Sequence, residues 1–190
     1  MSEKQPDTKS AILSIAKDLM RQLGYNAFSY ADIARRLNMK NAAIHYHYPG
    51  KADLLADVIE TYIAEYRQLE KQLAVSNLDS CQKLQQFIGK YSQLIGQNSI
   101  CIIGSVASDY NTLPDSVKAK VAGLIGLVIG MVEKTLQEGR EEGVFRFRET
   151  PRVRALLIMT NLAAGVQLAR ITGKADFIAI EQAIVDQLSK

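Results

Sequence analysis

Residues 29–48 read SYADIARRLNMKNAAIHYHY, and this stretch decides the fold because it predicts two short helices joined by a tight turn. Ser29 is a favourable N-cap with a carboxylate three residues later, so the first helix should cover residues 30–37. Asn38 interrupts the apolar spacing, and a second helix fits residues 40–46 before a Pro-Gly pair ends it. The pattern is typical of a helix-turn-helix unit.

The second of these helices carries side chains that suit the edges of DNA bases. A helix fits the major groove, which is about 12 Å wide, and Asn41 near its start can form two hydrogen bonds with adenine. His45, one turn later, can donate to or accept from a base, and the methyl group of Ala42 suits thymine. A plain helical hairpin with half-buried His and Tyr side chains explains the same residues, so the pattern alone leaves both interpretations open.

The rest of the chain also predicts helices, because apolar residues recur every three or four positions between isolated Gly, Pro and Asn breaks. Outside the helix-turn-helix, the predicted helices cover residues 6–23, 51–75, about 77–96, 100–110, 114 to 139 or 143, 150–171 and 176–188. The strand-like residues 143–148 are predicted to form a loop. We therefore expect an all-α fold of about nine helices, with one domain in residues 1–50 and a second in residues 51–190. The helix of residues 51–75 should bridge the two.

Charge is unevenly distributed along the chain. Residues 1–51 hold eight Lys and Arg against four Asp and Glu, a net charge of +4, which leaves −1 for the remainder of a chain whose formal charge is +3. A basic N-terminal segment is expected of a surface that binds a polyanion, and it also occurs on inert surfaces.

Composition argues against a membrane or metal protein. The longest uncharged apolar run, residues 121–132, is short of the roughly twenty residues that cross a bilayer. The N-terminus lacks the apolar stretch of a signal peptide, and Cys81 and Cys101 do not have the spacing of metal ligands. We expect a cytoplasmic protein without membrane association, metal or cofactor.

Catalysis has no support in the sequence. The two His residues, His45 and His47, both lie in the helix-turn-helix, and neither a phosphate-binding Gly loop nor a plausible Ser-His-Asp set occurs. A helical adaptor that binds a protein partner is the alternative from a different class. DNA binding and protein binding differ in their salt dependence, because DNA binding releases counterions and weakens as salt rises.

Residues 8–55 contain an ordered set of positions that is typical of one family. These positions are Ile12, Leu13, Ala16, Gly24, Tyr25, Ser29, Asp32, Ile33, Ala34, His45, Tyr46, His47, Tyr48, Lys51, Leu54 and Leu55. Over this segment the chain resembles the DNA-binding domain of the TetR family of transcriptional regulators. It departs from the family pattern at Asn38, Ala42, His45 and Gly50, so the operator sequence cannot be carried over from a relative.

The resemblance implies which residues meet DNA. Base contacts are expected from Asn41, Ala42 and His45, and phosphate contacts chiefly from residues on either side of them. The full set of predicted DNA-binding residues is Ser29, Tyr30, Lys40, Asn41, Ala42, Ala43, His45, Tyr46, His47 and Lys51. The partner implied is a double-stranded operator.

The resemblance also implies a homodimer on a palindromic operator, because one recognition helix contacts few base pairs. The last two helices of the family typically form a four-helix bundle across the dimer, and here both are rich in apolar residues. The residues predicted for this interface are Leu156, Met159, Ala163, Val166, Ile180, Ile184 and Leu188.

Finally, the resemblance implies a cavity among helices four to eight whose small-molecule effector releases a repressor from DNA. The residues predicted to line it are Tyr62, Tyr66, Phe87, Tyr91, Cys101 and Asn161, a largely apolar set that suits a hydrophobic or aromatic molecule. Gly123, Gly126 and Gly130 indicate either close helix packing or room for that ligand. A thiol sensor based on Cys101 is an alternative mode of regulation.

Overall fold

The structure is a computed structural model that describes residues 7–188. Within that range it contains nine α-helices, one 3-10 turn and no strand, so the prediction of an all-α fold is confirmed. The helices are α1 (Thr8–Leu23), α2 (Tyr30–Leu37), α3 (Asn41–His47), α4 (Lys51–Ala74), α5 (Ser80–Gly96), α6 (Ile102–Ala107), α7 (Asp115–Glu141), α8 (Pro151–Thr172) and α9 (Lys174–Asp186). The start of α1 predicted at Pro6 lies outside the described residues. We call α1–α3 the head and α4–α9 the body.

The turn between α2 and α3 has the geometry expected from its sequence. Asn38 adopts the left-handed conformation, with φ of 52° and ψ of 46°, which Asn tolerates better than most residues. At the other end of α2, the amide and the hydroxyl of Ser29 both donate to the carboxylate of Asp32, at 2.8 and 2.7 Å. Since both ends of α2 are fixed locally, its bounds agree with the predicted residues 30–37.

Apolar side chains join the three helices of the head. Ile12 of α1, Ile33 of α2 and Ile44 of α3 are fully buried, so the inward face of α3 is fixed and its opposite face is exposed. The N-terminal half of α4 completes this core with Leu54 and Leu55. At 1.5 Å per residue α4 is about 36 Å long, and its further turns pack in the body.

The last turn of α1 is fastened to the body by hydrogen bonds. The final carbonyl groups of a helix have no partner within the helix. Here the carbonyl oxygens of residues 20–22 accept, in order, from the Ser105 hydroxyl at 3.1 Å, the Ile100 amide at 2.8 Å and the Arg170 guanidinium at 3.2 Å. Donors from three parts of the body therefore determine where the head sits.

Three glycines of α7, predicted to mark either close helix packing or room for a ligand, do neither in the structure. A β-carbon added to Gly123, Gly126 or Gly130 would meet no atom within 4 Å, and none of the three lines a cavity. These residues lie on the outward side of α7, because its inward side is formed by Leu124 and Val128. The close approach is instead at Gly139, against the ring of Phe145.

Candidate functional site

The exposed face of α3 presents the predicted base-contacting residues together. Asn41, Ala42 and His45 are exposed, whereas Ile44 between them is fully buried. Residues 41, 42 and 45 lie on one face at helical spacing. Tyr46 is 84% exposed, so a large aromatic side chain extends into solvent beside this face.

His45 is positioned by a side chain from α2. Its ring meets the ring of Tyr30 edge-on, with the centroids 4.7 Å apart. Tyr30 itself is buried, and its hydroxyl has no hydrogen-bond partner among the described residues. Burial raises the pKa of Tyr30 to about 12, with smaller contributions from Asp53 and Tyr25. The Tyr30 hydroxyl was predicted to contact a phosphate, but in the structure it is buried. The Tyr30 ring instead packs against the ring of His45.

The remaining predicted DNA-binding residues differ in how far they are exposed. Ser29 and Lys40 are exposed at the N-caps of α2 and α3, while Ala43 and His47 are half-buried. Lys51 points inward: its ammonium donates to the Phe28 carbonyl oxygen at 2.5 Å and lies 4.0 Å from the centre of the Phe28 ring.

Two further features of the head were not predicted as functional. Arg35 and Arg36 are exposed in the last turn of α2 and add positive charge next to α3. The buried Tyr48 donates to the carboxylate of Asp57 at 3.1 Å, and Asp57 also pairs with Lys9 at 2.9 Å. This chain of contacts ties α1, the end of α3 and α4 together.

A cavity of about 160 Å³ lies where the head meets the body. Its walls come from α1, α4, α5 and the start of α6. Four of the six residues predicted to bind an effector line it: Tyr62, Tyr66, Tyr91 and Cys101. The structure brings these four side chains to one cavity, and one wall of that cavity belongs to the head and not to the body.

The other two predicted effector residues do not line this cavity. Phe87 is buried behind it, with its ring centroid 6.4 Å from that of Tyr66 and 5.6 Å from that of Tyr91. Asn161 is exposed on the outer face of α8. Placing Asn161 in the pocket was wrong because α8 is apolar on two sides, and its sequence does not reveal which side faces inward.

The inner part of the cavity is made of neutral, protonated groups. Burial raises the pKa of Tyr66 to about 12 and raises that of Tyr62 and Tyr91 as well. Burial likewise raises the pKa of Cys101, whose sulfur accepts a hydrogen bond from the Gly104 amide at 3.2 Å. A thiol held in this state is a poor nucleophile.

The outer part of the cavity is charged, which the sequence did not predict. Lys17 and Arg21, one turn apart on α1, both line it, together with Lys90 on α5. Lys17 forms an ion pair with Glu65 and lies over the ring of Tyr62 at 4.4 Å. The only available signal was the i, i+4 spacing of the two α1 cations, which also suits an exposed surface.

The dimer residues predicted in α8 and α9 divide into buried and exposed sets. Met159, Val166, Ile184 and Leu188 are buried in the core of their own protomer, which corrects their placement at an interface. Leu156 is 42% exposed, and Ala163 and Ile180 are half-buried. The exposed apolar residues of these helices are Val153, Leu156, Leu157, Leu168, Ile171 and Ile178.

Two features of residues 7–188 bear on other classes of protein. Pro151–Thr172 is the one helix there that is long and apolar enough to cross a membrane by length and composition. No group of three or more His, Cys, Asp or Glu side chains in that range could hold a metal ion.

The head, with an exposed recognition helix opposite a buried Ile44, defines a helix-turn-helix DNA-binding protein. The family model described as bacterial regulatory proteins, tetR family, matches residues 12–58. A TetR transcriptional regulator from Legionella pneumophila is 30% identical over 100% of both chains, with a TM-score of 0.87. The chain therefore belongs to the TetR family of transcriptional regulators, as the sequence predicted.

Two further solved structures have the same fold. A TetR-family regulator from Agrobacterium tumefaciens is 28% identical over 96% of this chain and 97% of its own, with a TM-score of 0.88. FadR from Bacillus subtilis, solved in complex with stearoyl-CoA, is 17% identical over 95% of this chain and 97% of its own, with a TM-score of 0.70. Among curated proteins, the comparison found no significant match.

Proposed function

We propose that this chain is a ligand-responsive repressor that binds a palindromic operator as a homodimer in the cytoplasm. The observation that carries the proposal is the exposed face of α3, where Asn41, Ala42 and His45 lie together opposite the buried Ile44. Asn and His side chains on such a face can read base edges, and the basic residues beside them can neutralise phosphates. Residues 1–50 are the DNA-binding domain in this proposal, and residues 51–190 bind the effector and the second copy.

The outer face of α8 and α9 supports the dimer. Val153, Leu156, Leu157 and Leu168 recur at helical spacing along α8, and each is more than 40% exposed in the single chain. Ile178 adds apolar surface from α9. Exposed apolar faces of this kind mark interaction sites in soluble proteins. A second copy of the same face would cover it with two-fold symmetry.

The cavity at the junction of head and body supports control by a small molecule. An effector shifts an equilibrium only if it binds the two states differently, and a site with walls from α1 and from α4–α6 meets that condition when the head moves. FadR, of similar fold, was solved in complex with stearoyl-CoA, so a protein of this fold can bind a ligand. The buried, protonated state of Cys101 favours a binding cavity over a thiol sensor.

Selection of bound sequences from random duplex DNA tests the proposal. The full-length protein should enrich a palindrome, and the logarithm of its affinity should fall linearly with the logarithm of salt concentration, by about 0.9 per phosphate neutralised. The Asn41→Ala protein should lose the enrichment at one position of each half-site. Binding that enriches no sequence, or that does not weaken as salt rises, would contradict the proposal and favour the protein-adaptor alternative.

A further inference from the structure

The cavity between α1 and α4–α6 carries positive charge that its own residues do not neutralise. Three cationic side chains line it, those of Lys17, Arg21 and Lys90, against the single carboxylate of Glu65. Glu65 is already paired with Lys17. Arg21 donates only to a neutral group, the side-chain oxygen of Gln97. Two positive charges at this cavity therefore lack a counter-charge within residues 7–188.

These two cations also have hydrogen-bond donors without acceptors. The ammonium group of Lys90 forms no ion pair or hydrogen bond with any residue in 7–188. The Nε of Arg21 is buried and has no acceptor in that range. A buried donor without a partner is unfavourable, and a guanidinium group is best satisfied by a carboxylate, which accepts two parallel hydrogen bonds. The missing partner is an anionic oxygen.

The inner wall sets the size and the remaining chemistry of the ligand. Tyr62, Tyr66 and Tyr91 line the cavity, and burial raises the pKa of all three hydroxyl groups, so these side chains are neutral. Its volume is about 160 Å³, and an apolar cavity of about 150 Å³ accommodates benzene. Aromatic rings pack favourably against other rings in tilted or offset arrangements. The space therefore suits a molecule with one six-membered ring.

We propose that this cavity binds a monocyclic aromatic carboxylate, with its ring against Tyr66 and Tyr91 and its carboxylate held by Arg21 and Lys90. This inference rests on the proposed role as a ligand-responsive regulator and names the class of its effector. It narrows the hydrophobic or aromatic molecule expected from sequence to an anionic one, because the charged side chains meet the cavity only once α1 is packed on the body.

The position of Arg21 gives the ligand a direct connection to the head. Arg21 lies in the last turns of α1, and its carbonyl oxygen accepts from the Ile100 amide of the body at 2.8 Å. A ligand carboxylate competes with Gln97 for the Arg21 guanidinium. When the ligand binds, Arg21 of α1 loses its hydrogen bond with Gln97 of the body and gains one with the ligand. This exchange changes the contacts that hold the head on the body.

Calorimetry with the full-length protein and benzoate tests the class of ligand, and benzamide serves as the neutral molecule of the same shape. Benzoate should bind once per chain and at least about tenfold more tightly than benzamide, the factor that one hydrogen bond to a charged group supplies. Lys90→Gln should reduce this difference, because Arg21 then holds the carboxylate alone. Lys71→Gln, which removes an exposed Lys from α4, should leave it unchanged.

Equal affinity for benzoate and benzamide, or no saturable binding of benzoate, would overturn the inference. Both results come from the unmutated protein, so they do not depend on a variant that folds. Release of the selected operator duplex is measured separately, by fluorescence anisotropy. Benzoate that binds without releasing DNA would support the ligand class and contradict the proposed regulation. Intact operator binding by a protein that does not bind benzoate would contradict the ligand class and support the operator-binding part of the proposed function.

Discussion

The ring of His45 stands edge-on to the ring of Tyr30, with 4.7 Å between their centroids. Tyr30 is buried at the start of α2 and His45 is exposed on α3, so the contact links the core of the head to the exposed face of α3. Pairs of this geometry contribute about 0.5–1.5 kcal/mol beyond the burial of their surface. The direction in which His45 points is therefore set by the adjacent helix before DNA arrives.

Replacing His45 with Ala should weaken sequence preference more than stability. Loss of a base contact is expected to cost about 1–3 kcal/mol of discrimination at one position of each half-site. The free energy of unfolding should fall by no more than about 1.5 kcal/mol, the limit set by the contact with Tyr30. Competition between the selected operator and single-base variants measures the first quantity, and urea unfolding the second. Full retention of affinity and preference would remove His45 from the interface.

Lys40→Ala should weaken binding to every DNA sequence by a similar factor. Lys40 is exposed at the N-cap of α3, where a Lys can neutralise a phosphate without reading a base. The salt dependence of log affinity should become shallower by about 0.9 for each phosphate that is no longer neutralised. Lys71→Ala, near the far end of α4, is the matched control and should leave the slope unchanged. An effect confined to one sequence would assign Lys40 to base recognition instead.

A charge on the outer face of α8 should prevent dimer formation. Leu157 is 44% exposed there, and burial of a Lys at that position in a symmetric interface would leave two unpaired charges. The Leu157→Lys protein should sediment near the monomer mass of 21.0 kDa. Val144→Lys is the control, because Val144 is 41% exposed but lies in the loop between α7 and α8. A variant that sediments as the unmodified protein does would exclude this face.

Two Gly→Ala substitutions in α7 should change stability in opposite directions. At Gly139 a β-carbon would lie 2.0 Å from Cδ2 of Phe145, so Ala there forces the buried ring to move, at a cost of about 1–3 kcal/mol. At Gly126 a β-carbon meets no atom within 4 Å, and Ala should stabilise the helix by about 0.5–1 kcal/mol. Urea unfolding measures both. Equal effects at the two positions would contradict the packing described for Phe145.

The protein should lose stability as the solution becomes alkaline. In the unfolded chain the ordinary pKa values are 9.0 for Cys101 and 10.0 for Tyr66, and burial raises both pKa values in the fold, to about 12 for Tyr66. Below pH 9 neither state releases these protons, so the full free energy of unfolding is present. As pH rises further, the unfolded chain is deprotonated first, and the free energy of unfolding falls towards pH 12.

Tyr66→Phe separates this effect from general alkaline damage. The Phe side chain cannot ionise, so the decline in the free energy of unfolding between pH 9 and 12 should be shallower than in the unmodified protein. Tyr46→Phe, at a position that is 84% exposed, is the control. Identical declines for the Tyr66 variant and the unmodified protein would show that the Tyr66 hydroxyl is not buried as described.

Features fixed by neighbouring residues could be predicted from sequence. The bounds of α2 follow from a Ser-Asp pair at its start and a left-handed Asn after its end, which depend only on local hydrogen bonds and backbone sterics. The exposed face of α3 follows from the position of Ile44. The structure agrees with both predictions, because no contact with residues distant in sequence opposes these local interactions.

Features that depend on which side of a helix faces inward could not be predicted. Asn161 and Met159 lie two residues apart on α8, and only the packing of α8 on its neighbours exposes the first and buries the second. The same holds for Lys17 and Arg21. Their side chains line the cavity because α1 packs on parts of the body that are distant in sequence. Charge and spacing in the sequence suit an exposed surface equally well.

The hydrogen bonds at the end of α1 limit how this regulator can be recombined with its relatives. A chimera that joins residues 1–50 to another body keeps the carbonyl groups of residues 20–22, but it loses the side-chain donors of Ser105 and Arg170 unless the new body has the same residues there. Such a chimera would fold its helix-turn-helix only if the new α4 supplies apolar side chains in place of Leu54 and Leu55, which complete the core of the head. It would hold its head less firmly on the new body, because these contacts fasten the last turn of α1. Transplanting DNA specificity is therefore better done by exchanging α3 alone.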